Sequence, residues 1–201
     1  MTVAVVKYNA GNVYSVLHAL QRLGVEAVLT DDAAQLTAAD RVIFPGQGEA
    51  SHAMAYLREK GLDRIIKGLR QPVLGICIGQ QLMCRHSEEG DTDCLGIFDV
   101  PVKRFLPQTH EDKVPHMGWN ELESPSSPLF RGFIGGEFVY FVHSYYVPVC
   151  DWTAARTEYI LPFSAALHRD NFFATQFHPE KSGSVGESIL KNFLTLELLT
   201  S

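Results

Sequence analysis

The chain has 201 residues, 46% of them apolar, with 17 Lys and Arg against 23 Asp and Glu and a formal charge of −6. That length suits one domain, 1–201, with a substantial buried core. The acidic balance and the lack of a Lys/Arg run exclude a general affinity for nucleic acid or for an anionic membrane surface.

The opening Met1-Thr2-Val3-Ala4-Val5-Val6-Lys7 is too short an apolar run for a signal peptide or a spanning helix. Thr2 to Lys7 reads instead as a buried strand. Val13 to Leu23 reads as a helix, with Val13, Val16, Leu17, Leu20 and Leu23 on one face and Gly24 ending it. Glu26 to Thr30 and Arg41 to Phe44 are strands, joined through a turn at Asp31-Asp32. Ala50 to Leu57 and Leu62 to Leu69 are helices, Val73 to Ile76 a strand, and Ile78 to Arg85 a helix. This alternation predicts parallel pairing with right-handed crossovers, and sites at the carboxyl ends of the strands. Ser87 to Asp93 reads as a solvated acidic loop. Phe98 to Phe105, Val114 to Asn120 and Phe138 to Val142 read as strands, with Ser124 to Pro128 a loop. Phe163 to His168 and Phe172 to Phe177 form a hairpin through Arg169-Asp170-Asn171, and Val185 to Leu199 is a closing helix. The expected fold is a doubly wound, flavodoxin-like, mostly parallel α/β sheet with an added antiparallel segment. The four cysteines (Cys77, Cys84, Cys94, Cys150) lack Cys-x-x-Cys spacing, and eight histidines form no ligand cluster. Free thiols in a reducing, cytoplasmic setting are expected, with no metal and no cofactor.

Chemistry concentrates where the strand Val73 to Ile76 runs into Gly75-Ile76-Cys77-Ile78-Gly79. This is the order of a nucleophile elbow with cysteine in the nucleophile's place. Glycines two residues either side suit the tight turn, and a helix N-terminus favours thiolate over thiol. A buried structural cysteine on a glycine-rich strand end is the plain alternative. Phe177-His178-Pro179-Glu180 supplies the complement: His178 as general base and Glu180 to orient it. Residues two apart share a side only in extended chain, and Pro179 disfavours helix at His178. The third component is Pro45-Gly46-Gln47-Gly48, one strand before the elbow. Its backbone N–H groups, with that of Ile78, can form an oxyanion hole; a plain glycine-rich turn is the alternative. Gln81, four residues after Cys77, lies on the same helical face. His143 is a rival base, with a structural hydrogen bond as its other reading. His116 to Asn120 is a strand end whose Trp119 packs in the core or faces outward.

Gly75-Ile76-Cys77-Ile78-Gly79-Gln80-Gln81 together with His178-Pro179-Glu180 resembles the class I (triad) glutamine amidotransferases. Within that class, Pro115-His116-Met117-Gly118-Trp119-Asn120 and His143-Ser144-Tyr145-Tyr146 resemble the glutaminase subunits of imidazole glycerol phosphate synthases, the HisH family. The resemblance covers almost the whole chain. It implies hydrolysis of glutamine to glutamate and ammonia through a Cys77 thioester, with Cys77, His178 and Glu180 catalytic. It implies that Gly46, Gln47, Gly48 and Ile78 hold the oxyanion, and that Gln81, Ser144 and Tyr145 bind substrate. It places Asn12, Met117, Trp119, Asn120 and Tyr140 against a HisF-like (β/α)8 cyclase subunit that takes the ammonia. The pattern departs at Lys7, where an acidic residue is usual, at Gln47, where an apolar one is, and at Gln80, where methionine is common. Three other readings stay open: the amidotransferase subunit of a different synthase, such as one for anthranilate; a free-standing cysteine hydrolase; and a binding module with an inactive triad.

Overall fold

A computed structural model describes residues 1–8, 13–46 and 48–197. The expected positions Asn12 and Gln47, and the last two residues of the expected helix Val185 to Leu199, lie outside these residues. Among the described residues the central sheet has the strand order β11-β12-β13-β4-β3-β1-β2. Its parallel part is β1 (Val3–Val6), β2 (Ala27–Thr30), β3 (Arg41–Phe44), β4 (Val73–Ile76) and β13 (Phe172–Thr175). The antiparallel strands β11 (Thr153–Tyr159) and β12 (Leu161–Arg169) extend it at one edge. This is the expected α/β architecture with its antiparallel addition.

The connecting helices cover both faces. They are α1 (Tyr14–Arg22), α2 (Ala33–Ala38), α3 (Ala50–Glu59), α4 (Leu62–Gly68), α5 (Ile78–Met83) and α6 (Gly183–Leu194). One core layer gathers Val6, Phe44, Met54, Leu57, Ile66 and Leu82; the other gathers Val5, Leu20, Ile43, Phe141, Phe163, Ile189 and Phe193. The central strands β1, β4 and β13 are buried along their whole length, which is why they read as almost continuous apolar runs, broken only by Thr175.

Several expectations change in detail. The turn at Asp31-Asp32 opens a short helix, α2, with the Asp32 carboxylate accepting from the Gln35 N–H at 2.8 Å. The nucleophile helix ends at Met83 rather than Arg85. Its last carbonyls, on Leu82, Met83 and Cys84, accept from Leu95, Ile97 and Gly96, and the chain turns into β5 (Cys84–Ser87). β5 pairs with β6 (Thr92–Asp93) and β7 (Phe98–Arg104) in a second sheet completed by β10 (Tyr145–Tyr146). The acidic loop is therefore the tip of a hairpin, and Glu89 turns inward to accept the Ala50 N–H at 2.8 Å. β8 (His116–Glu121) and β9 (Phe138–His143) form a separate antiparallel ribbon. Trp119 is 55% exposed on it and Met117 63%, so Trp119 is not a core residue. No helix among the described residues is long and apolar enough to cross a membrane.

Candidate active site

The parallel pairing of β4 and β13 builds the site. Thr175 lies opposite Ile76, so both strands end at the same edge and release Cys77 and His178 side by side. The Cys77 N–H donates to the Thr175 carbonyl at 2.7 Å, and the His178 N–H donates to Tyr140 on β9 at 2.9 Å. Cys77 sits at φ 53° and ψ −108°, a conformation side-chain-bearing residues rarely adopt. The turn is closed from both sides. A Cβ on Gly79 would lie 2.2 Å from the Phe44 carbonyl oxygen, and one on Gly46 would lie 2.2 Å from that of Ile76. Side chains at these two positions are sterically excluded.

His178 is extended (φ −99°, ψ 97°), and Pro179–Lys181 make a single 3-10 turn behind it. That geometry brings Glu180 Oε1 to 2.7 Å from His178 Nδ1, with both side chains only 2% exposed. The Ser182 hydroxyl locks the segment: it donates to the His178 carbonyl at 2.6 Å and accepts from the Tyr140 N–H at 3.0 Å. Burial by itself pushes the His178 pKa down. The Cys77 sulfur, which hydrogen-bonds the ring, and the Glu180 carboxylate outweigh it and raise the pKa to about 10. A thiol, an imidazole and a carboxylate thus stand in the order expected of a nucleophile, base and orienter.

His143 also lines the cleft but is committed elsewhere. Its Nδ1 donates to the Tyr145 carbonyl at 2.7 Å. The neutral ring must then accept at Nε2, where His116 Nδ1 lies at 3.1 Å. Burial drives its pKa down to about 3, with the neighbouring His116 and His178 adding to the effect. Both ring nitrogens are occupied, so the geometry favours the structural reading over the rival base.

The cleft has a volume of about 350 Å³ and is lined by Gly46, Gly48, Cys77, Ile78, Gln81, Ser144, Tyr145, His178 and Glu89, among others. All the expected oxyanion and substrate positions within the described residues therefore meet at one place. Gln81 Nε2 donates to the Tyr145 carbonyl at 3.0 Å and to Gln176 Oε1 at 2.9 Å. Both amide hydrogens are thereby used within the protein, so Gln81 can meet a ligand only as an acceptor. Met117, Trp119 and Tyr140 lie away from the cleft on the β8–β9 ribbon, where Trp119 and Tyr140 meet edge to face at 5.9 Å. Asn120 ties that ribbon to β11, donating from Nδ2 to the Glu158 carbonyl at 2.8 Å. Among the described residues no group of three His, Cys, Asp or Glu is arranged to hold a metal ion.

The family model described as glutamine amidotransferase class-I matches residues 4–196. The chain belongs to the class-I glutamine amidotransferase family. Among curated relatives of this amidotransferase, the imidazole glycerol phosphate synthase subunit HisH of Bacteroides thetaiotaomicron is 70% identical over 98% of the chain and 100% of that protein. The protein of the same name from Yersinia pestis is 45% identical over 98% of the chain and 100% of that protein. Solved structures agree in fold. A crystal structure of a glutamine amidotransferase superposes with a TM-score of 0.73 at 20% identity, covering 95% of this chain and 96% of that one. PurLQS from Thermotoga maritima gives 0.66 at 18% identity, covering 96% and 97%.

Four residues in or behind the wall of the amidotransferase cleft escape a reading of its sequence. Gln176 Nε2 approaches the Cys77 sulfur at 3.7 Å; its place two residues before His178 on an extended segment is a signal for it. Ser182 follows the His-Pro-Glu motif closely and is a signal of the same kind. Glu89 has none, because an acidic hairpin tip looks solvated. Burial raises its pKa, helped by Glu49 and opposed by the Ala50 N–H. Tyr8 is buried just past the end of β1 and donates from its hydroxyl to the Pro45 carbonyl.

Proposed function

We propose that this chain is the glutaminase subunit of an imidazole glycerol phosphate synthase, working as one domain over 1–201 in the cytoplasm. The observation that carries the mechanism is the buried His178–Glu180 pair facing Cys77 at the strained elbow. The observation that carries the biology is full-length identity of 70% to a subunit of that name.

Cys77, as the thiolate with the proton held on His178, attacks the side-chain amide carbon of glutamine. The oxyanion is held by the N–H of Ile78 and by the turn from Gly46 through Gln47 to Gly48. A donor of this kind is typically worth about 3 kcal/mol. His178 delivers the proton to the leaving nitrogen, ammonia departs, and a Cys77 thioester remains. Water, deprotonated by His178, then releases glutamate and restores the thiol. Glu180 holds Nδ1–H in place and stabilises the charged ring. Gln81, Ser144 and Tyr145 bind the amino-acid end, and Glu89, the carboxylate at the cleft, offers a counter-charge to its ammonium group.

Ammonia set free in water at neutral pH is mostly protonated and lost, which argues for direct delivery. The partner is a HisF-like (β/α)8 cyclase subunit that converts a phosphoribulosyl-formimino carboxamide nucleotide. The joint products are imidazole glycerol phosphate and aminoimidazole carboxamide ribotide, in histidine biosynthesis. The exposed Met117 and Trp119, with half-buried Tyr140 and with Asn120 on the same ribbon, form the docking surface, and Asn12 is assigned to it by the family resemblance alone. Catalysis at the oxyanion turn is gated by the loaded partner.

The test is glutamate release from glutamine by the chain alone, with the cyclase, and with the cyclase plus its nucleotide, using Cys77→Ala as control. Full release only in the complete mixture, absent in Cys77→Ala, is the expected outcome. Strong release by the chain alone refutes the gated turn and favours a free-standing hydrolase; none in any mixture refutes the proposal.

A further inference from the structure

Tyr8 stands outside the Cys-His-Glu set, yet its contacts converge on the turn that precedes the elbow. β1 and β3 run parallel with Val5 opposite Ile43, and carrying that register past the strand ends brings Tyr8 level with Gly46. The ring is 5% exposed and packs on Phe44 with centroids 5.3 Å apart. This packing leaves the hydroxyl on the Pro45 carbonyl. That carbonyl belongs to the same planar peptide as the Gly46 N–H. In a trans peptide, pinning the oxygen fixes the direction of the N–H opposite. Gly46 itself cannot yield toward the elbow: its backbone is so close that a Cβ would lie 2.6 Å from the Ile78 nitrogen and 2.2 Å from the Ile76 oxygen.

We propose that Tyr8 is a positioning residue for glutamine hydrolysis, its hydroxyl anchoring the Pro45–Gly46 peptide and so fixing the direction of the Gly46 N–H beside Cys77. This rests on the reading of the Gly46–Gly48 turn as the oxyanion site. A tyrosine hydroxyl suits the task because it stays a donor. Burial, and then negative charge on Cys77, raise its pKa far above the ordinary range, so it does not ionise while the thiolate forms. A phenylalanine would fill the same space and leave the Pro45 carbonyl without that donor.

The test compares wild type with Tyr8→Phe in the complete complex with cyclase and nucleotide. Three quantities are read: kcat and KM for glutamine, and the rate constant for alkylation of Cys77 by iodoacetamide. Iodoacetamide reacts by displacement at carbon and forms no oxyanion, so it reports the thiol alone. The expected result is kcat about tenfold lower, in keeping with loss of one buried hydrogen bond, with KM and the alkylation constant unchanged. An unchanged kcat overturns the proposal. A fall in kcat matched by an equal fall in alkylation also overturns it, since Tyr8 would then support the elbow rather than the oxyanion turn. If Tyr8→Phe does not fold, 3-fluorotyrosine at position 8, a stronger donor of similar size, must change kcat without changing alkylation, and no change in kcat overturns the proposal. Glutamate release absent from the wild-type complex refutes the functional reading and this one together. Release present in wild type but unaffected at Tyr8 refutes this one alone.

Discussion

Glu180 and His178 are both almost wholly buried, and an ion pair in such a setting depends on both partners being present. Glu180→Gln keeps the shape but removes the charge that stabilises the protonated ring. Glutamate release by the complex is expected to fall on the order of a hundredfold or more in kcat, with KM much less affected. A loss under about threefold would mean that Glu180 only fills space. The raised pKa of His178, due first to the Cys77 sulfur and then to Glu180, also predicts a pH dependence of stability. The folded pKa of His178 lies above that of a free histidine, 6.5, and reaches about 10. Its contribution to stability is therefore complete below pH 6.5 and is lost as the pH rises through that window. Denaturant melts of His178→Gln should show a flatter profile than wild type between pH 6.5 and 10; parallel profiles would contradict the assignment.

At the scale of elements, the elbow is a three-way contact between the end of β3, the end of β4 and the start of α5. Gly79 is one of its two tightest points, because an added Cβ would meet the Phe44 backbone oxygen, which no rotamer change can move. Gly79→Ala is expected to cost at least about 3 kcal/mol of unfolding free energy, the upper part of the range for overpacked cores. A denaturant titration showing less than about 1 kcal/mol would mean that β3 and α5 slide apart freely. The Gly-x-Cys-x-Gly spacing makes this element legible in the sequence, since few local structures need small residues at those two places. The end of α5 is not legible there. Its sequence continues with residues that a helix accepts, and the helix stops because the backbone of Leu95–Ile97 captures its last carbonyls. β11 escapes a sequence reading for a related reason: the irregular pairing between Thr153 and Arg156 spoils the alternation that would announce a strand.

Across the whole molecule, the proposed chemistry and the proposed docking face occupy different surfaces joined by one strand. β9 carries Tyr140 on the exposed ribbon and ends at His143 in the cleft, and the Tyr140 carbonyl accepts the His178 N–H. A partner seated on Trp119 and Tyr140 therefore touches the backbone that holds the base. Trp119→Ala is expected to weaken cyclase binding about tenfold or more, as for an aromatic anchor. The rate per bound complex should stay close to wild type, read by titrating the cyclase while following glutamate release. Unchanged affinity would place the docking surface elsewhere.

What the sequence by itself determined is the local and periodic content: the parallel α/β class, the elbow at Cys77, the His178–Glu180 pairing and the glycine turn before it. Each depends on residues close together in the chain, where spacing and backbone sterics leave few alternatives. Tertiary structure alone decided which polar groups are already occupied. His143 is occupied by His116 and Tyr145, Gln81 by Gln176, and Pro45 by Tyr8. It also turned Glu89 inward and Trp119 outward. These outcomes depend on hydrogen bonds and burial between segments far apart in sequence, and a partner's distance cannot be read from spacing along one strand.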